Sequence, residues 1–246
     1  MHGNEVFQRV RHALAQVETE RNVRVLFACE SGSRAWGFAS RDSDYDVRFL
    51  YVHRRDWYLS VEDRRDVIEQ PIADDLDVSG WELRKALRLL RKSNPPLLEW
   101  LKSPVVYRHD PVFAAEFGAL ATEFYSPRRC FAHYLHMAFG NWRDYLRGRD
   151  EVSLKKYLYV FRPLLACRWI ERQLGQVPML FAQLVGACST KPTCASRSAN
   201  SSRASKPAKN SRSRRRSKRS RVSSRPSCRG SRHSTNRTMP PAKWRS

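Results

Sequence analysis

Residues 23–53 limit the fold more than any other part of the chain. Their two ends, VRVLFAC (23–29) and YDVRFLYVH (45–53), are rich in β-branched and aromatic residues and predict two strands. Between them, Gly32-Ser33 follows the first strand and opens a turn that leads into a short helix through Arg34-Ala35-Trp36. Asp44 and Asp46 stand two apart where the second strand begins. The period of two along a strand puts both carboxylates on one face, about 7 Å apart.

The flanking patterns extend these two strands into a sheet and cover it. Val6, Val10, Leu14 and Val17 recur at helical spacing and predict a helix over 3–20. Residues 67–70 and 76–78 predict two shorter strands, separated by Pro71 and an acidic stretch. Residues 81–91 predict a helix, with Leu83, Ala86, Leu87 and Leu90 on one face. Asn94-Pro95-Pro96 caps and opens a further short helix, LLEWL. From about residue 111 the pattern is helical, over 111–124, 127–147 and 152–174, with Pro163 expected to kink or split the last segment. Short strands followed by helices predict an α/β (α+β) fold, a small mixed sheet with a C-terminal helical region. The expected divisions are a catalytic domain over 1–108, a helical domain over 109–185 and a tail over 186–246.

Charge separates the tail from the rest. The chain carries 46 Lys+Arg against 24 Asp+Glu, a formal net charge of +22. Residues 1–185 hold 28 basic and 24 acidic side chains, whereas 186–246 hold the other 18 basic residues and no acid. Inference from net charge toward nucleic acid therefore rests on the tail. The tail has 16 Ser, a single aromatic at Trp244 and almost no large aliphatics, a composition that predicts disorder. Two readings of it stand open. One is an arm that binds RNA or DNA phosphates with steep salt dependence. The other is the product of a reading-frame shift near Gly186, because high-GC coding sequence read out of frame gives this Ser/Arg/Pro/Cys-rich composition. The six Cys form no CxxC pair, which argues against a zinc site or disulfide framework and for a reducing, cytoplasmic setting. No run of 18 apolar residues suits a membrane span, and the polar N-terminus has no signal-peptide core.

Paired carboxylates on a rigid strand suit Mg²⁺, which takes a few carboxylates together with substrate phosphate oxygens. Two such ions clamp the attacking and leaving oxygens of a phosphoryl transfer. A third carboxylate is expected, and Asp77, between Leu76 and Val78 in a predicted strand, fits better than the loop acids Asp42, Asp74 and Asp75. A lone D-x-D is usually a solvated face, and a lone Gly-Ser is usually a turn. Their ordered combination with a later strand acid points to phosphoryl transfer.

Gly32-Ser33, then Asp44-Tyr45-Asp46-Val47, then Asp77 resembles the motif of the DNA polymerase β-like nucleotidyltransferase superfamily. The segments GSRAWGFASRDSDYDVRFLY, WELRKALRLLRKSNPPLLEWLKSP and LKKYLYVFRPLLACRWI are similar to a bacterial and phage branch of predicted nucleotidyltransferases, some associated with RNA repair. The resemblance runs from about residue 20 to about 183. It implies a polymerase β-like minimal nucleotidyltransferase fold and transfer of a nucleoside monophosphate from NTP, with pyrophosphate released. It implies Asp44, Asp46 and Asp77 as catalytic, metal-binding residues for two Mg²⁺ ions, and Gly32 and Ser33 as the cradle of the triphosphate. Arg34, Lys85, Lys156 and Arg162 are the candidate nucleotide-binding cations. Arg48 shares the face of the two acids and is read either as a phosphate ligand or as an ion pair that orients one of them. The acceptor stays open: an RNA end, or a protein or small molecule. A reading from another class is a non-catalytic nucleic-acid-binding protein that acts through the basic tail. His133 and His136, three apart on a helix, read as packing or surface residues rather than metal ligands.

Overall fold

The two runs predicted as strands pair with each other at the centre of a sheet. In the computed structural model, which describes residues 2–40, 42–73 and 75–189, β1 (Val23–Ser31) and β2 (Tyr45–His53) are antiparallel, with Val23 opposite His53 and Ser31 opposite Asp46. Residues 25–30 of β1 are all buried, which explains a continuous apolar run without alternation. β3 (Val67–Glu69), β4 (Leu76–Glu82) and β5 (Val106–His109) complete a five-stranded sheet of order β3-β4-β2-β1-β5. β2 and β4 are parallel and the other pairs antiparallel, so the sheet is mixed as expected. Gly80 lies opposite Phe49 across β4 and β2, and a Cβ there would fall 2.2 Å from the Phe49 ring. That residue must be glycine for the ring to lie flat on the neighbouring strand.

Each face of the sheet has its own core. On one face α1 (His2–Arg21) sets Val10, Leu14 and Val17 against Val25, Val47, Phe49 and Tyr51. The short α2 (Gly32–Trp36) and α3 (Arg55–Tyr58) follow β1 and β2. The other face is covered by α4 (Leu83–Arg91), α5 (Pro95–Trp100), α6 (Pro111–Glu123), α7 (Pro127–Tyr145), α8 (Leu154–Glu171) and α9 (Phe181–Ser189). Phe27, Cys29 and Leu50 from the sheet share one buried cluster with Leu97, Phe117, Tyr134, Ala166 and Leu184 from these helices. The segments before and after residue 108 thus share a core.

Several boundaries differ from expectation, each for a local reason. The helix expected from 81 starts at Leu83, because Trp81 and Glu82 finish β4. The Glu82 carboxylate then caps that helix by accepting the Arg84 N–H at 2.7 Å. α8 continues through Pro163 as one helix and is not split there. Proline cannot donate to the carbonyl four residues before it, and here the Asn141 side chain donates to the Tyr159 carbonyl at 2.8 Å in its place. The elements β5, α3 and α9 were not predicted. α9 crosses position 186, where the tail was expected to begin; the remaining tail expectations concern residues that lie outside the described ones. Among the described residues, no helix is long and apolar enough to cross a membrane.

Candidate active site at the acidic end of the sheet

Register places the acids. Ser31 on β1, Asp46 on β2 and Asp77 on β4 stand abreast across three adjacent strands. Parallel neighbours lie about 4.8 Å apart, so Asp46 and Asp77 project side by side. Asp44 is exposed and lies just before β2, two residues from Asp46. Arg48 ties the acids together. Its Nη2 donates to Asp46 Oδ1 at 2.9 Å and to Asp77 Oδ2 at 2.8 Å. Its Nη1 donates to the Asp77 and Val47 carbonyls at 3.0 and 3.1 Å. Of the two sequence readings of Arg48, the geometry is that of the ion pair, and it reaches both acids.

The electrostatics at Asp46 are those of a crowded anionic site. Burial is the main influence pushing its carboxyl above the usual range, and the charges of Asp77 and Asp44 push the same way. Arg48 and Lys155 oppose them. Gly32 closes the site from the turn: its φ is +61°, and a Cβ there would fall 2.0 Å from Asp46 Oδ2. Only glycine combines that backbone with that approach. Ser33 beside it is buried, and its carbonyl accepts the N–H groups of Gly37 and Phe38, both at 3.1 Å.

Glu30, which the sequence reading passed over, supports Asp46 from below. Its Oε1 accepts the Asp46 backbone N–H at 2.9 Å, and its Oε2 accepts the Tyr107 hydroxyl at 2.5 Å. Burial raises its carboxyl above the usual range. The available signal was an acid at the end of an apolar strand run, VRVLFACE, where a carboxylate has few neutral reasons to stand.

The predicted cations divide. Arg34 donates to the Ser43 carbonyl at 2.5 Å and the Asp44 carbonyl at 3.1 Å, and lies 3.7 Å over the Tyr45 ring. It fixes the loop that carries Asp44. Of two adjacent lysines on α8, Lys155 is the one that faces the acids, with Nζ 3.4 Å from Ser43 Oγ and its charge felt at Asp46. Lys156 lies 4.0 Å over the Tyr145 ring. Lys85 pairs with Asp66 at 2.9 Å, on the helix beyond the far end of β4 from Asp77. Arg162 is interior: it donates to Glu99 at 2.8 Å and to the Met179 carbonyl at 3.2 Å, and lies 4.4 Å over Trp36. Neither Lys85 nor Arg162 is brought to the acids. Tyr159, midway between Lys156 and Arg162 at three-residue spacing on α8, contacts Trp36 and Phe38 edge-on at 5.7 and 6.2 Å, and feels the charge of Asp46. It forms an aromatic wall beside the site.

The remaining acids and histidines take other roles. Asp75 pairs with Arg9 at 2.9 Å, Asp42 is exposed, and Asp74 lies outside the described residues. His136 Nδ1 is within 3.0 Å of the Ala132 carbonyl, within its own helix. Among the described residues, no group of three or more His, Cys, Asp or Glu stands ready as a metal-ligand cluster. Between Asp46 and Asp77 the Arg48 guanidinium takes the place a ligand set would leave open.

Comparison with known proteins adds three findings. The sequence profile of the RNA repair pathway DNA polymerase beta family matches residues 6–217, past the expected start of the tail. The uncharacterized protein YcgL of Bacillus subtilis (strain 168) is 52% identical over 185 residues, which cover 75% of this chain and 71% of that protein. A nucleotidyltransferase-like protein from Exiguobacterium sibiricum 255-15 is 14% identical, with a TM-score of 0.34, over 68% of this chain. The chain spans 58% of that solved structure.

Proposed function

The chain belongs to the RNA repair pathway DNA polymerase beta family, and from that premise we propose that it transfers a nucleoside monophosphate from an NTP to an acceptor hydroxyl at an RNA end, releasing pyrophosphate. Membership supports a nucleotidyltransferase-type activity in general. The observation that carries the finer reading is the side-by-side placement of Asp46 and Asp77 on parallel strands, with the Gly32 backbone pressed against Asp46.

Asp44, Asp46 and Asp77 are the residues that would hold Mg²⁺, with two ions expected. The donor set fits: all are hard carboxylate oxygens, their charges crowd Asp46, and a cation already stands between two of them. When bound, the ions neutralise the triphosphate and activate the acceptor hydroxyl. The chain's own groups position the reactants. Gly32 and Ser33 receive the triphosphate where no side chain at position 32 intervenes. Lys155 brings a positive charge from α8 to the same end of the sheet. Asp77 orients the acceptor hydroxyl. Glu30 holds the Asp46 backbone, and Arg34 holds the loop of Asp44.

The test is Mg²⁺-dependent transfer from labelled NTPs onto a mixture of RNA, protein and small molecules, with Asp46→Asn beside the wild type and folding of both checked. Label is expected in the RNA fraction and is lost in the variant. Label in the protein or small-molecule fraction reassigns the acceptor. A folded wild type that neither transfers label nor binds NTP rejects the reading.

A further inference from the structure

Asp46 Oδ1 and Asp77 Oδ2 converge on one atom, Arg48 Nη2, at 2.9 and 2.8 Å. Two carboxylate oxygens aimed at a single point are what a shared divalent ion requires, and the metal distance to oxygen is shorter, about 2.1 Å for Mg²⁺. The two acids therefore need to close only slightly to take an ion where the guanidinium nitrogen now lies. Two positive centres cannot share that point. Arg48 reaches it on a flexible side chain from the same strand as Asp46, two residues on, so it can leave without any movement of the sheet. Once it leaves, its charge needs a new anion.

We infer that Arg48 is a displaceable, tethered counter-ion that closes the metal position between Asp46 and Asp77 until ion and triphosphate enter together. The inference rests on the reading of these acids as metal ligands. In the free protein the guanidinium keeps the two carboxylates aligned and offsets part of their charge. The entering ion replaces it, and the triphosphate accepts the released charge. Metal and nucleotide then assist each other's binding, and that assistance is reciprocal. Arg48 is a positioning residue in this scheme. A fixed strut between β2 and β4 would use the same four hydrogen bonds, but its removal would lower stability without raising affinity for metal.

The experiment is Mn²⁺ binding to the full chain, read from the electron paramagnetic resonance of free Mn²⁺. It is run with and without an NTP analogue blocked at the α–β bridge, and corrected for Mn²⁺ held by free analogue. The proteins are wild type, Arg48→Met, Arg48→Gln and Asp46→Asn. Wild type is expected to bind Mn²⁺ weakly alone and more tightly with the analogue. Arg48→Met and Arg48→Gln are expected to bind Mn²⁺ alone about tenfold more tightly or better, because a unit charge a few ångströms from the ion is gone. The further tightening by the analogue should shrink in both. Gln keeps a donor for the Asp77 carbonyl, so it decides the matter if the Met variant does not fold. A folded Arg48→Gln that binds Mn²⁺ alone no more tightly than wild type overturns the inference and leaves the acids as ligands. If Asp46→Asn binds Mn²⁺ with the analogue as wild type does, the reading of the acids fails and takes the inference with it.

Discussion

Two arginine–carboxylate clusters show how the same chemistry serves two purposes in this chain. At the end of the sheet, the Arg48 side chain is 16% exposed and its partners Asp46 and Asp77 are 28% and 30% exposed. In the helical layer, Arg162 and Glu99 are 2% and 8% exposed. Glu99 also accepts the Tyr134 hydroxyl at 2.7 Å and the Trp36 indole N–H at 3.2 Å, so α2, α5, α7 and α8 meet on one carboxylate. The interior cluster has one cation, one anion and neutral partners. The cluster at the sheet end has excess acid that one guanidinium cannot satisfy. Solvent reaches the cluster at the sheet end and not the interior one. An interior pair fixes how helices sit, and its loss strands a buried charge. A wet, acid-rich cluster can exchange its cation at modest cost. On the proposed reading, the contrast assigns Arg48 to the site and Arg162 to architecture.

The strongest test of that contrast is Asp46→Asn. Transfer should fall by about 10³-fold or more, as when a group that stabilises the transition state is removed. The thermal midpoint should stay within a few degrees of wild type. A variant that unfolds instead would place Asp46 with Glu99 as an architectural acid, and the contrast would break.

Arg162→Met should do the reverse. Leaving Glu99 buried and unpaired is expected to cost about 3–5 kcal/mol, measured by urea unfolding. Adding Glu99→Gln should restore part of the loss, because a neutral amide no longer strands a buried charge and its oxygen still accepts a hydrogen bond from Tyr134 or Trp36. A stable Arg162→Met protein that fails only in nucleotide transfer would return Arg162 to the nucleotide site, where the sequence placed it. Gly32→Ala comes next. Its Cβ would meet the Asp46 carboxylate and strain a residue at φ +61°. A displacement of about 1 Å at the acids is expected to lower transfer by about 10²-fold, with a smaller effect on the urea midpoint.

Sequence pattern revealed what local periodicity controls. The two strand runs, the turn between them and a short strand carrying Asp77 follow from period two and turn residues, whereas Asp44 falls just before β2 and it is the register of the folded sheet that sets Asp77 beside Asp46. What escaped depends on partners distant in sequence. Lys155 and Lys156 are adjacent, and the rotation of α8 against its neighbours selects Lys155 for the acids. Arg162 shares a helical face with Lys156 and Tyr159, yet Glu99, 63 residues away, decides that it is interior. A guanidinium reads identically on a wet face and in a core. Arg34 sits beside Gly32-Ser33 as a phosphate ligand should, but loop carbonyls without ladder partners claim its donors. β5, only four residues long, exists as a strand because β1 offers it an edge.

The smallest expected effect concerns another buried acid, Glu30, and sharpens the contrast from another side. Glu30 is buried like Glu99, but its hydrogen-bond partners are a hydroxyl and a backbone N–H rather than a cation. Burial raises its carboxyl above the ordinary 4.5, outweighing the hydrogen bonds from Tyr107 and Asp46 that pull it down. The folded chain therefore holds this proton at pH values where the unfolded chain has lost it. Stability contributed by Glu30 is full below 4.5, falls as pH rises through the raised folded value, and is constant above it. Glu30→Gln removes that dependence. Its amide oxygen still accepts the Asp46 N–H, and its NH₂ meets the Tyr107 oxygen, so the support of Asp46 persists. Urea midpoints of variant and wild type from pH 4 to 8 should diverge in favour of the variant as pH rises, with transfer activity largely kept. Asp46 titrates in both proteins, so its contribution largely cancels in the difference. A difference independent of pH would show that Glu30 stays charged on folding, as a carboxylate paired with a cation does. The line drawn between acids held by arginine and acids held by neutral donors would then disappear.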